Sequence, residues 1–169
     1  MAIFNIFSWL LVPVRGLAWP IVRGWVRSSF PAVEQISTTA LASRMEQGEP
    51  LLLIDARQLE EYEVSHLPGA CRATSVDEVA ALSSDQDLPV VVYCSIGYRS
   101  ARLVESLVAS GYGAVNLEGS LFQWANENRL LVSAGKQTHR VHSYSPAWGL
   151  LLSSADSTDS IDSVDLTDV

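Results

Sequence analysis

The sequence predicts an α/β fold in which a doubly wound parallel sheet is covered by helices on both faces. Two short apolar runs, 51–54 and 89–93, have the length and composition of strands that are buried on both sides. Segments with helical spacing of apolar residues lie between these runs and after them. Strands that alternate with helices build a parallel sheet, because consecutive parallel strands need a crossover connection.

Each predicted element has a physical signal at its ends. Helices start at a residue whose side chain can accept a hydrogen bond from the first turn, and Ser75 with Glu78 has the spacing of a capping box. Glycine marks helix ends, and Pro89 occupies the first position of its strand, where no ladder donor is needed. The elements predicted in order are a helix from Ser37 or Thr38 to near Gly48, a strand over 51–54, a short helix over 58–64, a strand over 70–73, a helix over 76–82, a strand over 89–93, a helix from Ser100 to Gly111, a strand over 113–117 and a short helix over 121–126.

Composition and charge exclude several classes of protein. The chain has 169 residues, 48% of them hydrophobic and 18% charged, which fits one globular domain with extensions and excludes disorder over the full length. The net charge of −8 argues against nucleic acid as a partner, because no surface for neutralising phosphates is available. Two cysteines, Cys71 and Cys94, are too few for a disulfide framework and indicate a reducing compartment, which we expect to be the cytoplasm.

Charge divides the chain into three segments. Residues 1–32 carry three arginines and no acidic residue. Residues 153–169 carry five aspartates and no basic residue. We therefore predict a helical segment over 1–32, a globular domain over 33–133 and a C-terminal extension over 134–169. The aspartates recur every third residue among serines and threonines, which predicts disorder from about residue 153, as a solubilising end or an interaction tail.

The N-terminal segment has an apolar stripe at helical spacing, with arginines on the opposite side. Prolines and glycines at positions 13, 16, 20 and 24 favour two short helices as much as one. The stripe comprises Ile3, Phe7, Leu10, Val14, Leu17, Ile21 and Trp25, and the basic residues opposite are Arg15, Arg23 and Arg27.

Tryptophans mixed with arginines in this segment indicate a membrane interface, where an amphipathic ring lies at headgroup level. We predict a helix that lies on a bilayer through residues 3–27 and makes the protein peripherally membrane-associated. Two alternatives remain open, namely an organelle transit peptide over residues 1–32 and a helix that packs on the domain with its stripe in the core. No uncharged apolar stretch of about 18 residues exists, so a simple transmembrane helix is not indicated.

The predicted strand over 89–93 delivers Cys94 to the edge where ligands bind in open parallel sheets. A short loop containing Gly97 follows, so successive backbone N–H groups can turn inward as a nest for an anion. The helix start at Ser100 and the charge of Arg99 both favour a thiolate and predict a lowered pKa for the Cys94 thiol. A cysteine in this place is a nucleophile that needs no histidine base.

Five motifs follow one another in the domain, namely LIDAR at 53–57, EY at 61–62, HLPGA at 66–70, CSIGYRS at 94–100 and LEGSLFQW at 117–124. In this order they resemble the rhodanese-like sulfurtransferases, over about 33–132. The resemblance implies that family's doubly wound α/β fold and a persulfide on Cys94, which takes the sulfane sulfur of a donor such as thiosulfate and expels sulfite. The acceptor would be a thiol, a sulfur-accepting protein or cyanide. The substrate-binding loop implied is Ser95, Ile96, Gly97, Tyr98, Arg99 and Ser100, and no cofactor is expected.

Two positions depart from the pattern of this family. Ser95 stands where many thiosulfate-using members have a basic residue, which questions thiosulfate as the donor but leaves persulfide formation intact. Ser120 follows Gly119 where a double glycine is commoner, and we expect this change to affect only a loop.

Other polar residues near the strand ends have weaker claims to function. Asp55 and Arg57 could line the crevice as supporting residues or satisfy nearby loops by hydrogen bonding. Cys71 is interpreted as a small hydrophobic residue, with a resolving thiol as the alternative. His139 and His142 have no cysteine or carboxylate at ligand spacing, so no metal site is expected.

Two other function classes were compared with sulfur transfer. Dual-specificity phosphatases of related fold have five residues between cysteine and arginine, and this chain has four between Cys94 and Arg99, a loop better suited to a sulfur atom than to a phosphate. The presence of an intact Cys94 argues against a non-enzymatic docking module. Sulfur transfer is therefore the favoured hypothesis.

Overall fold

The computed structural model describes residues 6–83, 87–153 and 157–158, with side chains described over 16–83 and 87–153. Short helices and strands alternate through the centre of the chain, as predicted. The elements in chain order are α1 (Ile6–Ser29), β1 (Gln35–Ile36), α2 (Thr38–Glu46), β2 (Leu52–Asp55), α3 (Leu59–Val64), β3 (Cys71–Arg72), α4 (Val76–Leu82), β4 (Val90–Tyr93), α5 (Tyr98–Ala109), β5 (Ala114–Leu117), α6 (Ser120–Asn126), β6 (Leu131–Ser133), β7 (Lys136–Thr138), β8 (Val141–His142), α7 (Pro146–Gly149) and β9 (Ser157–Thr158).

Five parallel strands form the central sheet, in the order β1–β5–β4–β2–β3. β4 is buried along its whole length and lies between β5 and β2. Asp55 at the end of β2 is in register with Tyr93 at the end of β4. The carboxyl ends of both strands therefore meet at one edge of the sheet, and Cys94 follows β4 there.

Helices cover both faces of the sheet and bury a separate apolar cluster on each face. One cluster contains Leu41 of α2 and Phe122 of α6, and the other contains Val79 of α4 and Leu107 of α5. The apolar residues at helical spacing in α5, namely Ala101, Val104 and Leu107, are buried, and Val108 is exposed. This arrangement confirms the predicted doubly wound α/β fold.

α5 begins at Tyr98, two residues before the start predicted at Ser100. Gly97 has a φ of 107°, a left-handed conformation that side chains disfavour, and it turns the chain directly from the loop into the helix. Tyr98 and Arg99 therefore belong to the first helical turn, and their positions are fixed by helix geometry.

The N-terminal segment forms one continuous helix, so the alternative of two short helices is wrong. Pro20 removes one backbone hydrogen bond from this helix, and the burial of Val22 and Val26 against the domain offsets that loss. No helix in the described part of the chain combines the length and apolarity that crossing a bilayer requires.

α1 packs on the domain through the side that the sequence had assigned to polar residues. Val22 and Val26 are buried there, whereas Leu17 and Ile21 of the predicted stripe are 73% and 71% exposed. The alternative of a packed helix is correct as to packing and wrong as to Leu17 and Ile21, which face away from the core, whereas Trp25 of the stripe stacks on Tyr98 of the domain. Side chains of the stripe before Gly16 lie outside the described part of the chain.

The start of the C-terminal extension is ordered against the domain. β6 and β7 form an antiparallel hairpin, and Leu151 and Leu152 are buried in the cluster beneath α6. Ser157–Thr158 pair in parallel with Val141–His142. The rest of the tail predicted to be disordered, residues 154–156 and 159–169, lies outside the described residues.

Candidate active site

The backbone of Cys94 is held by the start of α6. Leu121 N–H donates to the Cys94 carbonyl at 3.1 Å, and Phe122 N–H donates to the Ser95 carbonyl at 3.0 Å. The first N–H groups of a helix have no partner within it, so these two are free to bind the loop. Ser120 Oγ accepts from Cys94 N–H at 3.2 Å and donates to the Leu117 carbonyl.

Cys94 itself is a buried thiol with donors directed at its sulfur. Gly97 N–H donates to Sγ at 3.2 Å, and the cysteine is 1% exposed. Burial alone would raise the pKa of this thiol, but the positive charge of Arg99 and the polar groups of Ser100 and Gly97 lower it, and the net pKa is below the ordinary value. The hydroxyl of Ser100 is buried without a hydrogen-bond partner of standard geometry, so it is available to the sulfur or to a bound group.

Arg99 is fixed by a carboxylate that lies on α3. Its guanidinium makes two bonds of 2.7 Å with the Glu61 carboxylate, which in turn accepts from Gln58 N–H at the start of α3. Burial would raise the pKa of Glu61, but the bonds to Arg99 and to Gln58 lower it below its ordinary value. Ser95 Oγ lies within the same network, 3.1 Å from Glu61 and 3.0 Å from Arg99.

A cavity of about 160 Å³ opens above Cys94. One side is the loop itself, with Ser95, Ile96, Tyr98 and Arg99. The other side comes from the terminal segments and is aromatic, formed by Trp25 of α1, Tyr144 before α7 and Trp148 of α7. Trp25 stacks on Tyr98 with ring centroids 4.5 Å apart, and the guanidinium of Arg99 lies 4.9 Å from the Tyr144 ring centroid.

The six loop residues predicted to bind substrate all surround Cys94. Ser95, Ile96, Tyr98 and Arg99 line the cavity, Gly97 donates to the sulfur, and Ser100 acts on the pKa of the thiol.

Asp55 and Arg57 do not line the cavity. They are fully buried and paired with each other at 2.7 Å, and Arg57 also donates to the Ser65 carbonyl. The pair closes the turn between β2 and α3, as in the alternative of hydrogen bonding to nearby loops, and it does not take the alternative place along the crevice.

The structure separates the two cysteines. Cys71 lies on β3, and β2 stands between β3 and β4, which leads to Cys94. Two strand spacings amount to about 10 Å, beyond the reach of a disulfide between fixed backbones. The alternative of Cys71 as a resolving thiol is therefore not supported.

Several site residues were missed by sequence reasoning. Glu61 was part of a recognised motif but had no role assigned, although an acid near a helix start is a capping signal. Ser120, expected to change only a loop, holds Cys94 with a φ of 52°, a conformation that gives no sequence signal in a serine. The three terminal aromatic residues are brought to the site by tertiary packing alone, and no local pattern marks them.

Comparison with known proteins adds four findings. The family model described as the rhodanese-like domain matches residues 37–127. YtwF of Bacillus subtilis is 33% identical over 98 residues, 57% of this chain and 95% of YtwF. A sulfurtransferase of Allochromatium vinosum is 30% identical over 103 residues, 60% of this chain and 96% of that protein. The crystal structure of a rhodanese-like domain protein from Staphylococcus aureus superposes with a TM-score of 0.52 at 28% identity, covering 60% of this chain and 98% of that one.

Proposed function

The chain belongs to the rhodanese-like family, and from that membership we propose that it is a sulfurtransferase that carries sulfane sulfur as a persulfide on Cys94. Relatives named as sulfurtransferases support transfer of sulfur at the level of the family. The observation that carries the proposal for this chain is the Cys94 sulfur, which accepts from Gly97 N–H and whose pKa is lowered in spite of burial.

The reaction proposed has two steps, each a displacement at sulfur. The Cys94 thiolate attacks the sulfane sulfur of the donor, a new S–S bond forms, and the old bond to the donor breaks with its electron pair on the leaving group. With thiosulfate the leaving group is sulfite. A thiolate or cyanide then attacks the outer sulfur of the persulfide, and the Cys94 thiolate leaves.

The groups around Cys94 favour the anions in both steps. The first N–H groups of α5 lack partners within that helix and point toward the loop, where the helix dipole favours negative charge. Gly97 N–H and the Ser100 hydroxyl stabilise the thiolate that attacks in the first step and leaves in the second.

Sulfur transfer to cyanide tests this function through the thiocyanate formed. We expect thiocyanate production by the wild-type chain and by Cys71→Ser, and none by Cys94→Ser. Cys71 is the matched control because it is the second cysteine of the chain and lies two strands away. Equal activity of Cys94→Ser and the wild type would refute the proposed role of Cys94, and inactivity of every form with several donors would favour a docking module.

We also propose that the N-terminal segment associates with a membrane surface through residues 3–27. Leu17 and Ile21 lie on the side of the helix that faces away from the domain, and they are more than two-thirds exposed. The segment carries basic residues and no acid, so it suits the anionic headgroups of a bilayer.

Point variants test this association better than a truncation would. Val22, Val26 and Phe30 are buried against the domain, so removal of the helix would expose the core. We expect the wild type to sediment with vesicles of phosphatidylcholine and phosphatidylglycerol, and Leu17→Gln/Ile21→Gln to remain in the supernatant. Leu130→Gln is the control, because Leu130 is also exposed but lies far along the chain, after α6. Sedimentation of the double variant to the wild-type extent would refute the proposal.

A further inference from the structure

The aromatic wall above Cys94, formed by Trp25, Tyr144 and Trp148, lies outside the residues that match the family. The family match ends at residue 127 and begins at 37, whereas these three residues come from α1 and from the C-terminal extension. Trp148 lies nearly parallel to Trp25, with ring centroids 6.5 Å apart and 14° between the planes. The terminal segments therefore add to the site a surface that the matched domain does not contain.

The positive charge that lines this cavity is already paired with a carboxylate. Arg99 is the cation among the described residues that line the cavity, and both of its terminal nitrogens are bound to the Glu61 carboxylate. The Tyr144 ring covers the guanidinium from the side of the cavity. A small dianion that approached Arg99 would meet the negative charge of Glu61 and would lose hydration without gaining an unpaired cation.

We propose that the aromatic wall makes the site selective for sulfur donors that carry an apolar organic group next to the sulfane sulfur, in preference to the small dianion thiosulfate. The inference rests on the proposed sulfurtransferase function and names the substrate class for the same cysteine. The flat faces of Trp25 and Trp148 bind the organic group, and the polar loop binds the sulfur end.

Thiosulfonates provide probes with the same reacting bond. In benzenethiosulfonate a phenyl group replaces one oxygen of thiosulfate, and in methanethiosulfonate a methyl group does. The Cys94 thiolate forms an S–S bond with the sulfane sulfur, the bond from that sulfur to the sulfonyl sulfur breaks, and the sulfinate leaves with the electron pair. Charge balances, because a thiolate and a thiosulfonate anion give a persulfide anion and a sulfinate anion.

The experiment compares the three donors with the full-length chain, using cyanide as acceptor and no lipid. The quantity measured is the ratio of kcat/KM for benzenethiosulfonate to kcat/KM for methanethiosulfonate, because these two monoanions differ in the apolar group and not in charge. We expect a ratio above about 10 for the wild type, from burial of the phenyl group. Thiosulfate should be a poorer donor than either monoanion.

Variants of Trp148 assign the preference to the aromatic wall. Trp148→Ala should lower the ratio about fivefold or more, and the intrinsic reactivity of the two donors cancels from this comparison. Trp148→Leu keeps an apolar side chain for packing, so it decides the case if the alanine variant does not fold, and it should also lower the ratio. Leu150→Ala is the matched control, since Leu150 is an exposed residue of the same extension that does not line the cavity.

The outcomes separate this inference from the function on which it rests. A ratio that is unchanged in both Trp148 variants, while each still forms thiocyanate, overturns the selectivity and leaves sulfur transfer in place. Inactivity of the wild type with all three donors overturns the sulfurtransferase function itself. A lowered ratio in the Trp148 variants and an unchanged one in Leu150→Ala supports the proposal.

Discussion

The indole ring of Trp25 lies on the phenol ring of Tyr98, with centroids 4.5 Å apart and an angle of 12° between the planes. Tyr98 is the first residue of α5 and directly precedes Arg99, so this contact joins the N-terminal helix to the loop that follows Cys94. Phe30 packs edge-on against the same ring at 5.0 Å. The N-terminal helix α1 therefore contributes to the site and also presents an exposed face at the surface.

Loss of the Trp25 ring should open the cavity to larger reagents. We expect Trp25→Ala to raise severalfold the rate at which N-ethylmaleimide alkylates Cys94, because one of the three rings of the aromatic wall is removed. The rate is measured by intact mass in a Cys71→Ser background. Ile21→Ala, one helical turn away and exposed, should leave the rate unchanged, and an equal rise in both variants would contradict the account.

The charge of Arg99 should set the pH at which Cys94 ionises. Because the pKa of the thiol is lowered, thiolate absorbance should rise with a midpoint below that of an ordinary cysteine. Replacement by Arg99→Gln removes the largest of the groups that lower this pKa, so the midpoint should move to higher pH. The absorbance of Cys94→Ser is subtracted to remove Cys71 and the tyrosines. A midpoint that stays in place would show that the charge of Arg99 does not act on the sulfur.

Gly97 should be required for the site, and Gly111 offers a matched comparison. Both glycines have left-handed backbones, with φ of 107° and 94°, so alanine at either position should cost about 1–3 kcal/mol of stability. Of these two glycines only Gly97 donates to Cys94 Sγ, so relief of the backbone strain at this position would move the N–H away from the sulfur. Gly97→Ala should therefore abolish most of the thiocyanate formation, whereas Gly111→Ala should keep it. Equal activities, with stability followed by urea unfolding, would contradict this role.

Ser120 should matter for stability through the backbone of Cys94. Its hydroxyl accepts from Cys94 N–H, and alanine would leave that buried donor without a partner, at a cost of about 1–3 kcal/mol. Glycine loses the same bond but relieves the strain of a φ of 52°, so Ser120→Gly should be less destabilised than Ser120→Ala. Urea unfolding measures both, and the reverse order would show that strain at this position is small.

The sequence was sufficient for the features that local physics determines. The apolar run before Cys94 predicts a buried strand, and that strand is the one that delivers the cysteine to the edge of the sheet. The start of α5 was placed two residues late, because a glycine in a left-handed conformation can cap a helix without a side chain.

The rest of the site depends on contacts between distant parts of the chain. Trp25 and Trp148 are far apart in sequence, and nothing in the spacing of either residue indicates that their rings meet above Cys94. The packed-helix alternative placed Leu17 and Ile21 in the core, and the structure buries Val22 and Val26 instead, because both sides of this helix carry apolar residues and only the domain decides which is buried.

The central claim is that Cys94 carries the transferred sulfur, and intact mass of the full-length protein tests it most directly. The protein is measured before and after exposure to benzenethiosulfonate and to thiosulfate, with Cys94→Ser and Cys71→Ser alongside. The account predicts a gain of one sulfur atom in the wild type and in Cys71→Ser, reversed by cyanide and absent in Cys94→Ser. A gain that persists in Cys94→Ser, or no gain in the wild type with either donor, would contradict it.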